Sequence, residues 1–134
     1  MMLQEVIRIA AIAEEAAERL AIRIVVSVVD IHGNSVLLHR MDGAPLHSLD
    51  MAFRKAYTAA SFNVETEELT SQVQPGQPLY GLAVNSGSRL IAFGGGAPVQ
   101  LQQGERVGVG ISGGTTEQDI RILKTALTSP RTIP

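Results

Sequence analysis

Arg23-Ile24-Val25-Val26-Ser27-Val28-Val29-Asp30 is the stretch on which the fold turns. It is dominated by Val and Ile, whose branching at Cβ suits a pleated strand. Alternation is incomplete, because Val25 and Val29 face away from Ile24, Val26 and Val28 and both faces are apolar. A strand of that kind is central and covered on both sides. Ile31-His32-Gly33-Asn34 is a turn signal, and Val36-Leu37-Leu38-His39-Arg40-Met41 reads as the returning strand of a hairpin.

The covering layers lie on either side of this hairpin in sequence. Upstream, Leu3, Val6, Ile7, Ala10, Ala13, Ala17 and Leu20 recur at three- and four-residue spacing, which predicts an amphipathic helix over 3–21. Downstream, Asp42-Gly43-Ala44-Pro45 ends the hairpin, and a second helix is expected over 48–61. Ser48 would cap it, and Asp50 would complement the positive end of its dipole. Leu49, Ala52, Phe53, Ala56 and Ala60 form its apolar stripe. A short third helix is expected over 66–73. Gln74-Pro75-Gly76-Gln77-Pro78 is the strongest break, but it is too short for a domain linker, so 1–134 reads as one domain. Beyond it, Arg89–Phe93, Val99–Gln103 and Arg106–Ser112 are expected as an antiparallel meander. A last helix covers 116–128, and Pro130 prevents it continuing. The expected fold is α/β, with a five-stranded antiparallel sheet flanked by helices.

Composition narrows the functions. The 134 residues include no Cys, which excludes disulfides, thiolate metal sites and Cys nucleophiles. Eleven Lys and Arg against thirteen Asp and Glu argue against nucleic acid as a partner. With no Trp, two Tyr and three Phe, platforms for stacking bases are few. Gln4, Glu5 and Arg8 interrupt any signal-peptide core, and no stretch approaches the roughly 20 apolar residues of a membrane span. The expectation is a cytoplasmic protein without a membrane partner.

Thirteen glycines are the most informative residues. Two clusters, Gly94-Gly95-Gly96 and Gly110 with Gly113-Gly114, lie in or beside strands, where glycine marks a tight turn or a close approach by backbone or ligand. Thr115 with Gln118 fits a capping box at the start of the last helix. Arg40, Asp42, Arg54 and Lys55 could converge on a carboxylate or propionate, or form ordinary surface pairs. His32, His39 and His47 form no zinc-type pair. A single His can ligate haem iron; His47, near Met51, is the first candidate and His39 the second. No nucleophile elbow and no complete catalytic constellation is present, so the catalytic set is empty.

In order along the chain stand Val26-Ser-Val-Val-Asp30 with Gly33; Arg40-Met-Asp-Gly-Ala44; Lys55-Ala-Tyr-Thr-Ala59; and Pro75-Gly76 with Leu79-Tyr-Gly81. Phe93-Gly-Gly-Gly96 with Pro98, and Gly108-Val-Gly-Ile-Ser-Gly-Gly-Thr115 with Glu117-Gln-Asp119, complete the series. This ordered set resembles the GlcG/HbpS family of small domains, also found as the C-terminal domain of PduO-type cobalamin adenosyltransferases. The resemblance implies a profilin-like domain and assembly with itself, from dimer to octamer. For some relatives it implies haem or a cobalamin-related tetrapyrrole as ligand, and for others a place in glycolate, glycerol or propanediol utilisation. It does not extend to the adenosyltransferase domain. Haem binding in PduO-type relatives is tied to a histidine, and the first helix here has none.

The leading expectation is a non-catalytic ligand-binding or accessory module. Its site would combine Arg40, Asp42, Lys55, Gly95, Gly96, Gly113, Gly114 and Thr115, with His47 and then His39 as iron ligands. One alternative is an enzyme acting on a small organic acid or aldehyde, with Arg40 and Lys55 orienting a carboxylate. Another is a purely structural subunit of a metabolic complex.

Overall fold

A computed structural model describes residues 2–129. The elements are α1 (Met2–Arg19), β1 (Val25–Asp30), β2 (Ser35–Arg40), α2 (Ser48–Phe62), a 3₁₀ helix (Thr66–Val73), α3 (Leu82–Asn85), β3 (Gly96–Gln100), β4 (Arg106–Ser112) and α4 (Thr116–Thr128). The strands pair antiparallel in the order β2-β1-β4-β3.

The two apolar faces of β1 each meet a separate layer. Ile24, Val26 and Val28 pack with α1, α4 and the Val107, Val109 and Ile111 face of β4. Val25 packs on the other side with Ala44, Ala52 and Leu49. Strand β4 alternates valine or isoleucine with glycine for a related reason. A Cβ on Gly108 would overlap the Ala56 carbonyl oxygen, and one on Gly110 the Ala52 carbonyl oxygen. On Gly96 it would lie 2.6 Å from the Lys55 carbonyl oxygen. The backbone of α2 therefore rests directly on the sheet, and its alanines are the helix's share of that approach.

The sheet has four strands, not five. Arg89–Phe93 is extended but forms no strand. The Ile91 N–H donates to Thr58 Oγ1 at 3.0 Å, and the Ala92 carbonyl accepts from Thr70 Oγ1 at 2.6 Å. Side chains of α2 and the 3₁₀ helix thus satisfy backbone groups that a neighbouring strand would otherwise have to meet. The next strand begins three residues earlier than expected, at Gly96, and Pro98, which has no N–H, sits on this edge strand. The segment 66–73 is 3₁₀ rather than α-helical. Ser48 does not cap α2; His47 holds that position with no side-chain hydrogen bond, and the buried Ser48 Oγ has no partner. The capping box of Thr115 and Gln118 is present as expected. Pro130, read as the stop of the last helix, lies outside the described residues.

Asp30 closes the hairpin turn. Its Oδ1 accepts from the N–H groups of His32 at 2.9 Å and Asn34 at 3.0 Å. The Asn34 N–H holds the carboxyl below the ordinary aspartate value, and the His32 N–H adds to this. A depressed carboxylate contributes stability above its ordinary pKa, and that contribution is lost as pH falls through the depressed value. Exchange protection of the His32 and Asn34 amides should therefore fall on strong acidification. In Asp30→Ala these amides should be unprotected at every pH; persisting protection would contradict the turn geometry.

The glycine contacts make a sharper prediction. Gly108→Ala and Gly110→Ala should each lower unfolding free energy by about 1–3 kcal/mol or more, the cost of overpacking. Gly104→Ala, which meets no atom within 4 Å, should cost only its backbone strain of about 1–2 kcal/mol. Urea unfolding of the three variants orders them.

Candidate functional site

Two helices on opposite faces of the sheet each carry a charge on their apolar side. Lys55 shares its face of α2 with Ala52, Ala56 and Ala59, all buried. Asp119 shares its face of α4 with Ile122, Leu123 and Ala126. The two side chains meet at the end of β4. Lys55 Nζ donates to the Ile111 carbonyl at 2.9 Å and to Asp119 Oδ2 at 3.1 Å. Asp119 Oδ1 accepts from the Gly114 N–H at 2.9 Å. The two side chains are only 4% and 3% exposed.

Lys55 is one of the expected site residues, and the structure gathers five more near this pair. A Cβ on Gly95 would lie 2.9 Å from the Ile111 carbonyl oxygen and 3.0 Å from Lys55 Nζ. A Cβ on Gly113 would overlap the Arg23 carbonyl oxygen, and one on Gly114 would lie 2.7 Å from Gln118 Oε1. Gly95 meets both Lys55 and Asp119, Gly96 meets the Lys55 backbone, the Gly114 N–H donates to Asp119, and Thr115 caps α4 beside it. Burial pushes the Lys55 ammonium below the ordinary lysine value, and the Asp119 charge pulls it part of the way back. Burial pushes the Asp119 carboxyl up, against the pull of Lys55 and of the Gly114 and Gly113 N–H groups. A buried amine of lowered pKa is the form that serves as nucleophile or base. This Nζ, however, is buried against Ile111, Asp119 and Gly95. The arrangement works as a clamp between the two layers.

The remaining candidates lie on the surface around the hairpin. Arg40 is exposed, and its Nη2 donates to the Ala44 carbonyl at 3.2 Å. Asp42 is exposed beside it. Arg54 pairs with Asp50 at 2.9 Å rather than with Arg40's surroundings. His47 is exposed at the start of α2, and His32 is exposed in the hairpin turn. His39 is different, because its Nδ1 lies 2.9 Å from Glu14 Oε2 on α1. A separate apolar cleft of about 260 Å³ lies between the 3₁₀ helix, α3 and the 90–93 segment, with Thr70, Leu82, Val84, Ile91 and Phe93 in its walls.

Asp119 and Glu14 are the partners that sequence reading did not assign. Asp119 carried a signal, since an acid in register with Ile122, Leu123 and Ala126 is destined for burial. Glu14 carried none, because its partner lies 25 residues away.

A family model described as haem degrading protein HbpS-like matches residues 1–128. The chain belongs to this family. A similar protein is an uncharacterized 15.0 kDa protein in the dhaT-dhaS intergenic region of Citrobacter freundii. It is 46% identical over 121 residues, which cover 90% of this chain and 84% of that protein. Among solved structures, Klebsiella pneumoniae protein ORFY superposes with a TM-score of 0.88 at 43% identity, covering 95% of this chain and 88% of that one. The PduOC:Heme complex superposes with a TM-score of 0.87 at 39% identity, covering 92% and 89%. The motif resemblance to the HbpS and PduO C-terminal domains therefore holds along the chain.

For this HbpS-like domain, breaking the clamp from one side should be costly. Asp119→Ala leaves an unpaired buried ammonium and should lower stability by about 3–5 kcal/mol. The double variant Lys55→Met/Asp119→Leu should lose much less than the sum of its singles. Additive losses in a double-mutant cycle by urea denaturation would show that the pair does not act as a unit.

Proposed function

We propose that this chain is a non-catalytic ligand-binding module whose ligand is a metallated tetrapyrrole, haem in the first place, serving as an accessory in small-molecule utilisation. The observation that carries this reading is the relative solved as a heme complex, similar over nearly the whole domain. The donor chemistry supports it. Among the described residues no group of three or more His, Cys, Asp or Glu side chains is placed to hold a metal ion. A bare zinc or calcium ion needs such a group. An iron that arrives with its own ring nitrogens needs only an axial donor, and an exposed imidazole is one. The enzyme reading would need Lys55 to be reachable, and its burial against Asp119 speaks for the non-catalytic one.

Self-association belongs to the same proposal, from dimer to octamer. Among the described helices none is long and apolar enough to cross a membrane.

Ferric haem titrated into the full chain should give a saturable Soret change at one haem per chain, with light scattering showing a mass several times that of the monomer. A parallel titration with aquocobinamide tests the corrinoid form. A strictly linear haem signal together with an unchanged cobinamide spectrum would overturn the ligand reading.

A further inference from the structure

We infer that His39, oriented by Glu14, is the axial ligand through which this chain holds a metallated tetrapyrrole, and that the neighbouring face of α1 receives the macrocycle. This inference rests on the tetrapyrrole reading above and gives it a place in the fold.

Glu14 fixes the chemistry of the ring. A neutral imidazole has one N–H and one lone pair, and an ionised carboxylate can only accept. With Nδ1 at 2.9 Å from Glu14 Oε2, a neutral His39 donating to that carboxylate carries its proton on Nδ1 and its lone pair on Nε2. A histidine that binds a metal characteristically hands its other N–H to a carboxylate or carbonyl, which fixes the tautomer and raises the basicity of the ligating nitrogen. Neither the His47 ring nor the His32 ring makes a hydrogen bond among the described residues, so neither is held in this way.

Position agrees with chemistry. His39 pairs with Val26 in register and faces the α1 side of β2, which is an edge strand. Its side chain is 43% exposed, so the ring is only partly covered by the fold. Leu3, Ile7 and Glu14 fall within about 40° of one another around α1, given roughly 100° per residue. This is the side of the helix away from Glu5, whose Oε1 accepts from the Gln102 N–H. The two contacts, Glu5 to Gln102 and Glu14 to His39, also fix direction: α1 and β2 run the same way. Seven helical residues back from Glu14 and three strand residues back from His39 both measure about 10 Å. Ile7 is thereby level with Val36, and both are apolar.

Leu3 and Ile7 are 42% and 45% exposed, large side chains left in water on the same stripe of α1 as Glu14. An apolar stripe on the helix that also orients the imidazole matches a flat apolar macrocycle with an open axial position. It does not match a hydrated cation, which would require further donors. Haem and corrinoids share this chemistry.

The test uses the full chain, ferric haem and aquocobinamide, read by absorbance and by electron paramagnetic resonance. His39→Ala should lose the axial-imidazole signature and bind at least about tenfold more weakly, and free imidazole should restore the signature. Glu14→Gln should bind about tenfold more weakly, the usual cost of losing such a supporting carboxylate, and should raise the reduction potential of bound iron. A purely structural role for Glu14 would not move that potential. His47→Ala should match the wild type. Circular dichroism confirms that each variant is folded; both positions are partly exposed, and Glu14→Gln tests the site independently of His39. Wild-type spectrum and affinity in His39→Ala would overturn the inference and leave the tetrapyrrole reading standing. Failure of the wild type to bind either probe would overturn both. Saturation by one probe alone identifies which macrocycle the site takes.

Discussion

The direct seating of the α2 backbone on the glycines of β3 and β4 is the constraint from which the rest follows. Gly96, Gly108 and Gly110 have no Cβ where the carbonyl oxygens of Lys55, Ala56 and Ala52 come down on the sheet. Any larger residue would lift the helix. At that short separation Lys55 reaches past the sheet to the Ile111 carbonyl and to Asp119 on the opposite helix. Thr58 likewise comes within reach of the Ile91 N–H. The approach of one helix thus sets the clamp and the path of the chain after the Pro-rich break.

Burying the Lys55–Asp119 pair is not an obvious gain. Removing two charges from water costs several kcal/mol per ion, and their attraction offsets this only with good geometry and further hydrogen bonds. Those bonds are present: Ile111 accepts from Lys55, and Gly114 donates to Asp119. Asp119 also lies in the first turns of α4, where the helix dipole favours a negative charge. The glycines next to it allow backbone N–H groups to approach the carboxylate, so they recognise an anion, but that anion is the protein's own.

Legibility in the sequence follows the range of each interaction. The two-faced β1, the hairpin, the long first helix and the Thr115–Gln118 capping box are set by residues within a few positions of one another, and all were readable. The valine-glycine alternation of β4 was visible too, but its cause lies in a helix some fifty residues earlier. Arg89–Phe93 has the composition of a strand, and it fails to become one because Thr58 and Thr70 satisfy its backbone first. Propensity could not show that competition. Ser48 has the right side chain for a cap, but it is buried in α2 while His47 occupies the boundary. The ranking of His47 over His39 rested on a nearby methionine. The hydrogen bond that distinguishes His39 joins α1 to β2 and has no sequence signature.

The charged residues divide by exposure, and that division separates structure from function. Lys55 and Asp119 pair with each other and are almost wholly buried. Glu14 meets His39 at one ring nitrogen only, on a side chain that is partly exposed. A fully buried pair can fix only the protein's own geometry. A half-exposed pair with one oriented lone pair retains the ability to bind something else. Leu3 and Ile7, apolar groups that water solvates poorly, are exposed on the stripe of α1 that carries Glu14. A ligand that offers a metal at its centre and carbon at its rim satisfies both kinds of unmet demand at once, and a metallated tetrapyrrole has that form.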